Sequence, residues 1–159
     1  MFHRPLVALT LSALLGASPT LWAATAADSV RVDDPYVRLM PPGQPNTAAF
    51  MVLENTDGAD HAVVSAESPA AKVVELHTHT HEDGMMKMRQ IPRIDIPGMG
   101  VTTLQPGGLH VMLIDLVAPL AADQTVDVTL VFEDGSSKTL KAPTRRPGGQ
   151  MPMPGAMGH

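Results

Sequence analysis

Short β-type segments separated by turn residues run through most of this chain, and they restrict it to an all-β fold. Nine segments rich in Val, Ile, Thr and Leu lie between clusters of Pro, Gly, Asn and Asp. We expect strands over residues 30–32, 47–54, 62–66, 73–81, 85–91, 101–104, 109–116, 125–132 and 137–141. Such spacing is typical of an antiparallel sandwich or barrel. Helix is expected only as a turn or two near residues 118–122.

The N-terminal residues have the features of a secretory signal peptide. Residues 1–4 include Arg4, residues 5–15 are almost wholly apolar, and small residues lead to an A-x-A pattern that ends at Ala26. The apolar stretch is shorter than the roughly 20 residues that span a bilayer. We therefore interpret residues 1–26 as a cleaved signal peptide, with cleavage after Ala23 as the alternative. The mature chain should have no membrane span and should act in the periplasm.

The C-terminal residues differ in composition from the strand-rich middle. From Ala142 onward Pro and Gly alternate, which leaves too little apolar surface to offset the entropy of ordering. The sequence therefore predicts one domain over residues 27–141 and a flexible tail over residues 142–159. This tail carries Met151, Met153, Met157 and His159.

Composition excludes several functions. The 159 residues contain no cysteine, which rules out a disulfide framework, a thiol nucleophile and the cysteine-containing zinc, iron–sulfur and blue-copper sites. The formal net charge is −5 and the basic residues are scattered, so no nucleic-acid-binding surface is expected.

Four residues form the set that best predicts a chemistry: His77, Met88, His110 and Met112. Together they offer a metal two imidazoles and two thioethers without a thiolate. Soft, uncharged sulfur favours Cu(I) over Zn(II), Mg(II) or Ca(II), and imidazole suits copper in either oxidation state. The chemistry indicated is copper handling.

Strand periodicity brings these donors towards one surface. Side chains at positions i and i+2 of a strand share a face, so His110 and Met112 should project together. A hairpin around the sequence Glu-Asp-Gly at residues 82–84 should bring His77 near Met88. A four-residue loop would place these two directly opposite each other, and a shorter loop would shift the pairing by one or two positions.

The same residues carry a resemblance to a known family. Their spacing, His77-x10-Met88-x21-His110-x-Met112, resembles the motif of the periplasmic PCu(A)C copper chaperones. Flanking segments are similar as well, including residues 74–77, 83–89, 104–113 and 132–136, and the resemblance extends over about residues 30–141.

That resemblance implies a cupredoxin-like, Greek-key antiparallel β-sandwich that binds one Cu(I) and delivers it by ligand exchange. The implied acceptor is the binuclear copper centre of cytochrome c oxidase subunit II, with Sco-type thiol proteins as co-workers or competing donors. We expect a monomer that is a metal carrier and not an enzyme.

The chain departs from the family pattern after His77. His79 and His81 stand where relatives more often have methionine or charged residues. They are candidates for an accessory site that prefers Cu(II), together with tail residues Met151, Met153, Met157 and His159. Met86 is the reserve thioether if the hairpin register differs. His61, by contrast, is expected to be an exposed histidine.

Other functional classes would require different residues or a different number of bound metal ions. A storage or resistance protein would bind several copper ions through the extra histidines and the tail. An electron-transfer cupredoxin needs a cysteine, which is absent. A hydrolase needs an open metal position and a general base, and the cluster has no nearby carboxylate at a recognisable general-base spacing.

Overall fold

The computed structural model describes residues 23–148, which form one short helical turn and ten strands. The turn α1 spans Ala26–Ser29. The strands are β1 Val30–Arg38, β2 Thr47–Asn55, β3 His61–Glu67, β4 Ala71–Glu82, β5 Met85–Gln90, β6 Ile94–Ile96, β7 Val101–Leu104, β8 His110–Leu116, β9 Thr125–Phe132 and β10 Ser137–Arg145. No helix in residues 23–148 is long and apolar enough to cross a membrane.

The strands make two sheets that are joined where β1 pairs with β10. The front sheet has the order β5-β4-β8-β2-β1, with β7 pairing the remaining length of β2. The back sheet has the order β6-β3-β9-β10. Pairing is antiparallel except where the end of β10 runs parallel to β1, with Val37 opposite Thr144. That parallel contact closes one side of the sandwich.

The core lies between the sheets and is mostly aliphatic. Leu76, Val111 and Leu113 contribute from the front sheet and Leu130 and Phe132 from the back sheet, all of them buried. Because side chains alternate along a strand, every front-sheet residue adjacent in sequence to one of these core positions projects to the outer face. The outer face of the front sheet is therefore where His110, between Leu109 and Val111, must lie.

The structure confirms the predicted all-β class and corrects some element limits. β7 and β9 have the predicted ends. β6 was not predicted, because three residues between Pro92 and Pro97 are too few to show a strand period. No helix forms over residues 118–122. β10 runs four residues beyond Lys141, because Ala142 and Thr144 alternate into the buried layer. The expected tail from Ala142 therefore starts too early.

The turn α1 anchors the start of the domain. Thr25 caps it through a reciprocal pair of hydrogen bonds with Asp28, and the Ala26 N–H donates to a carboxylate oxygen of Asp134 over 2.8 Å. The Ala26 side chain is fully buried. A protease that cut after Ala26 would remove the cap and this buried contact, whereas a cut after Ala23 keeps both.

We therefore expect the exported protein to begin at Ala24. A helix cap contributes about 1 kcal/mol, and the fold loses that contribution if Thr25 is removed. Intact-mass spectrometry of the secreted protein measures the N-terminus directly. A mature chain that begins at Ala27 would contradict the prediction.

His61 is buried, contrary to the expectation of an exposed histidine. Its side chain lies between two carboxylates, with Nδ1 at 2.7 Å from Glu133 and Nε2 at 3.3 Å from Asp57. The hydrogen bond to Glu133 and that to Asp57 raise the pKa of His61 against the opposing effect of burial. Hydrogen bonds, from His61 among others, lower the pKa of both carboxyl groups. The His61 imidazole therefore links the β2–β3 loop to the end of β9.

Replacing His61 with Gln should reduce the free energy of unfolding by an amount that depends on pH. A raised histidine pKa gives stability that is complete below the unfolded value of 6.5 and is lost as the pH rises through the folded value. The lowered carboxyl pKa values give stability that is lost at acid pH. Urea denaturation should show a loss of about 1.5–3 kcal/mol between roughly pH 5 and 6.5, and a smaller loss at higher pH.

The matched control is the same substitution in a Glu133→Gln background. If the ion pair is the cause, His61→Gln should cost much less there, since its main partner is already neutral. A cost that is equal at all pH values would contradict the assignment.

Candidate metal centre

The β4–β5 hairpin turns on two residues, and this sets which donors are neighbours. Asp83 and Gly84 both have positive φ, +51° and +75°, as a type I′ turn requires and as Asp-Gly favours. Glu82 therefore pairs with Met85, and His79 pairs with Met88. The four-residue loop that would set His77 opposite Met88 is not formed, and the pairing is shifted by two positions.

The pairing of β4 with β8 brings two histidines together. His77 lies directly opposite His110, and Glu75 lies opposite Met112. Cross-strand partners share a face, so these four residues and the His79–Met88 pair all lie on the outer face of the front sheet. We call the surface made by His77, His79, Met88, His110 and Met112 the site face.

His110 is the most deeply buried residue of the site face. It is 1% exposed because the rings of Phe50, His77 and His79 surround it, with centroids at 6.1, 5.7 and 5.2 Å. Its Nδ1 lies 3.0 Å from the Gly108 carbonyl oxygen and donates to it. The proton is thereby placed on Nδ1, and the Nε2 lone pair remains available.

The environment of His110 keeps its imidazole neutral. Burial lowers its pKa, and the nearby positive charges that His79, His77 and Arg38 can carry lower it as well, against the hydrogen bond to Gly108. A neutral imidazole is the form that binds a metal.

His77 is oriented by a carboxylate that sequence reasoning missed. Its Nε2 lies 2.7 Å from a Glu75 carboxylate oxygen, which holds the proton on Nε2 and leaves the Nδ1 lone pair available. A carboxylate thus lies within the cluster, in contact with a histidine. The two-residue strand period could have located Glu75, since it precedes His77 by two positions.

Three imidazole nitrogens on the site face are buried with no hydrogen-bond partner among the described residues. They are Nδ1 of His77, Nδ1 of His79 and Nε2 of His110. A buried polar group left unpaired costs about 1–3 kcal/mol, and native proteins contain few of them. Three such atoms, one on each of three neighbouring rings, indicate a place where a ligand supplies the missing interaction.

The methionines of the site face flank this group. Met112 is half-buried two positions after His110, while Met88 is 45% exposed on the edge strand β5. Met86 and His81 pair with each other nearer the turn, and the Met86 methyl lies 3.8 Å from where a Cβ on Gly107 would be. Met151, Met153, Met157 and His159 lie outside the described residues.

These donor side chains lie on one face of the sheet, but they do not enclose a single metal position. Within residues 23–148, no three or more imidazole or carboxylate side chains are arranged to hold a metal ion by themselves. Bound metal therefore requires the thioethers, or a rotation of the imidazole rings about their side-chain bonds.

The fold is that of the PCuAC domains. A copper-bound PCuAC domain from PmoF2 aligns with a TM-score of 0.64 over 77% of this chain and 97% of its own, at 22% sequence identity. An apo PCuAC domain from PmoF1 gives the same TM-score at 21% identity, over 75% of this chain and 95% of its own. Identity at this level defines the fold class, and the predicted cupredoxin-like fold is confirmed.

The chain belongs to the LpqE-like family, whose model, described as "Putative lipoprotein LpqE-like", matches residues 30–144. A protein of Leifsonia xyli subsp. xyli (strain CTCB07) named "Putative lipoprotein Lxx21020" is 38% identical over 120 residues, which is 75% of this chain and 71% of that protein. The resemblance to the PCu(A)C family is thereby confirmed.

One protein has been solved in two states that both match. The solution structure of apo-DR1885 from Deinococcus radiodurans is 34% identical, with a TM-score of 0.59, over 91% of this chain and 97% of its own. The solution structure of CuI-DR1885 is 36% identical, with a TM-score of 0.61, over 75% of this chain and 81% of its own.

The protonation of His110 can be tested without metal. We expect two-dimensional ¹H–¹⁵N spectra of the apo protein to show the Nδ1–H tautomer, and the titration midpoint to lie below 6.5, because burial disfavours the charged form. A ring protonated at Nε2, or a midpoint above 6.5, would contradict the orientation described.

Proposed function

We propose that this protein is a copper carrier that holds one Cu(I) through His77, Met88, His110 and Met112. The observation that carries the proposal is the group of unpaired imidazole nitrogens flanked by thioethers on one face. Two of these imidazoles are already fixed in tautomers with an available lone pair. The copper-bound and Cu(I)-bound structures of relatives support the choice of metal.

The donor types favour Cu(I). Thioethers and imidazoles are neutral, so the bound centre keeps the single charge of the ion. Soft sulfur selects Cu(I) over harder ions. Methionine has three rotatable bonds and a flexible reach, which suits Met88 and Met112, since they approach the histidine pair from opposite ends of the site face. Glu75 orients His77 and raises its basicity as a ligand.

Delivery by ligand exchange follows from the gradient of exposure across the site. His110 is fully enclosed, while Met88 lies on the edge strand β5 and is nearly half exposed. A thiolate of an acceptor can approach at Met88 and replace that thioether first, while His110 still holds the ion. The family resemblance points to the binuclear copper centre of cytochrome c oxidase as the acceptor, with Sco-type thiol proteins as co-workers, in the periplasm.

A carrier role is favoured over catalysis by the same donors. Glu75 is a carboxylate within the site, but its contact is with the Nε2 proton of His77, so it orients a ligand and is not positioned to activate a water. Four protein ligands would also leave no open metal position for substrate.

Anaerobic titration of Cu(I) in competition with a chromophoric chelator should give one tight ion per chain. The Met88→Ala, Met112→Ala double variant should lose that ion, because both soft donors are gone. The matched control is Met85→Ala, Met99→Ala. These methionines are 61% and 74% exposed and lie off the site face, so the affinity should stay unchanged.

A second control separates a carrier from a storage protein. A chain that ends at Gly148 retains all ten strands and should still bind the one tight Cu(I). Loss of several ions with residues 149–159 would contradict the carrier proposal and favour storage, as would equal losses in the two methionine variants.

A further inference from the structure

Three arginines line one open cavity of about 420 Å³ where β1 meets β10: Arg38, Arg145 and Arg146. The two strands pair in parallel there, with Arg38 directly opposite Arg145. Asp34 is the carboxylate among the described residues that line the cavity, so three positive charges against one negative leave an excess of two. The chain as a whole has a net charge of −5. We call this feature the arginine cavity.

The guanidinium group of Arg145 is held in place on two sides. It donates two parallel hydrogen bonds to the carboxylate of Asp34, and it lies over the ring of Tyr36, 4.8 Å from the centroid. Asp34 belongs to a bulge of β1 between Asp33 and Tyr36 and has a φ of +49°, which is unfavourable for a residue other than glycine. A bulge redirects side chains, and this one directs the Asp34 carboxylate at Arg145.

Arg38 and Arg146 form no ion pair with a carboxylate of the described residues. Arg38 is half-buried, and its guanidinium group lies over the ring of Phe50, 5.3 Å from the centroid. Like charges directly opposite each other on neighbouring strands are destabilising, and the carboxylate of Asp34 is already engaged with both terminal nitrogens of Arg145. An anion that entered the cavity would relieve this repulsion.

We propose that the arginine cavity is a docking site for carboxylates of an acidic protein partner that covers the outer face of the front sheet. The proposal rests on the proposed function, since that partner is the copper acceptor. Guanidinium groups bind carboxylates through paired hydrogen bonds. An excess of two positive charges matches one or two acidic side chains, whereas the acidic remainder of the chain would repel a long polyanion such as nucleic acid.

The arginine cavity is close enough to the metal centre for one partner to contact both. The ring of Phe50 lies between Arg38 and His110, and its centroid is 5.3 Å from the guanidinium carbon and 6.1 Å from the imidazole centroid. Pro106 lines the cavity two residues before Gly108, whose carbonyl oxygen accepts from His110. From β1 to β5 there are four strand spacings, about 20 Å, which is within the width of an ordinary protein–protein interface. A partner anchored at the cavity can therefore also cover the exposed thioether end of the site face.

Docking at this cavity would set the direction of approach without adding a copper ligand. Charges at the rim of an interface act mainly on the rate of association and on its salt dependence. The arginines should therefore govern the capture of an acidic partner and leave the affinity for Cu(I) unchanged.

The test uses the full-length mature apo protein and two short peptides, one alternating Glu with Ser and a matched one alternating Gln with Ser. In ¹H–¹⁵N spectra, the Glu peptide should shift the side-chain Nε–H signals of Arg38 and Arg145 and the backbone signals around the cavity, and the Gln peptide should not. Arg38→Gln, Arg146→Gln should weaken binding of the Glu peptide by about tenfold, because an exposed ion pair contributes up to about fivefold. The matched control is Arg31→Gln, Arg93→Gln, which makes the same change of charge at exposed arginines outside the cavity and should weaken binding by less than about twofold.

Equal weakening in the two double variants would overturn the inference, because net charge alone would then explain the binding. Shifts spread over the whole surface of the wild type would overturn it as well, and that measurement needs no variant. Shifts at the cavity with acetate or sulfate but not with the Glu peptide would show a site for small free anions and would contradict docking of a protein. Thermal unfolding checks that each variant is folded.

Anaerobic Cu(I) titration keeps failure of this inference apart from failure of the proposed function. Both double variants should bind the one tight ion within about threefold of the wild type, because no arginine is a donor to copper. A larger loss in Arg38→Gln, Arg146→Gln alone would place these arginines in the metal centre and overturn their docking role. Absence of a tight ion in the wild type would count against the carrier, and the peptide titration would still decide the anion site.

Discussion

The register of β4 between its two neighbours is the constraint on which the site depends. A two-residue turn at Asp83–Gly84 fixes β5 against β4, and pairing with β8 fixes His110 opposite His77. A one-residue slip on either side would move every donor of the slipped strand to the opposite face. The aliphatic core under Leu76 and Val111 opposes such a slip, because it would expose those side chains. The alternation of side chains along these strands therefore determines both the packing of the core and the positions of the donor side chains.

The general architecture was predictable from the sequence because strand periods and turn residues are local signals. The two strands bearing most donors, β4 and β8, were placed within two residues of their observed limits. The pairing of His79 with Met88 was not predictable from these local signals, because it depends on both the length of the hairpin loop and its turn type. His61 was misjudged because its burial depends on Glu133, which is 72 residues away in the sequence. The strand period placed Glu75 on the same face as His77, but its hydrogen bond to His77 could be identified only once the position of the His77 ring was known.

The site combines a buried end and an exposed end, and this arrangement fits a carrier. His110 is desolvated, oriented by Gly108 and kept neutral, so it is prepared for a metal before one arrives. Met88 lies on an edge strand where another protein can approach. In the proposed carrier, His110 would retain the ion and Met88 would release it, and neutral ligands would keep the ion exchangeable. A site enclosed on all sides would bind copper without a route to an acceptor.

We propose that imidazole and thioether side chains of the site face meet at one Cu(I) ion. X-ray absorption spectroscopy of the protein loaded with one equivalent of Cu(I) measures this directly, since nitrogen and sulfur scatter differently. We predict a first shell of two imidazole nitrogens and two sulfurs. A first shell containing only nitrogen and oxygen, or one without imidazole nitrogen, would contradict the account.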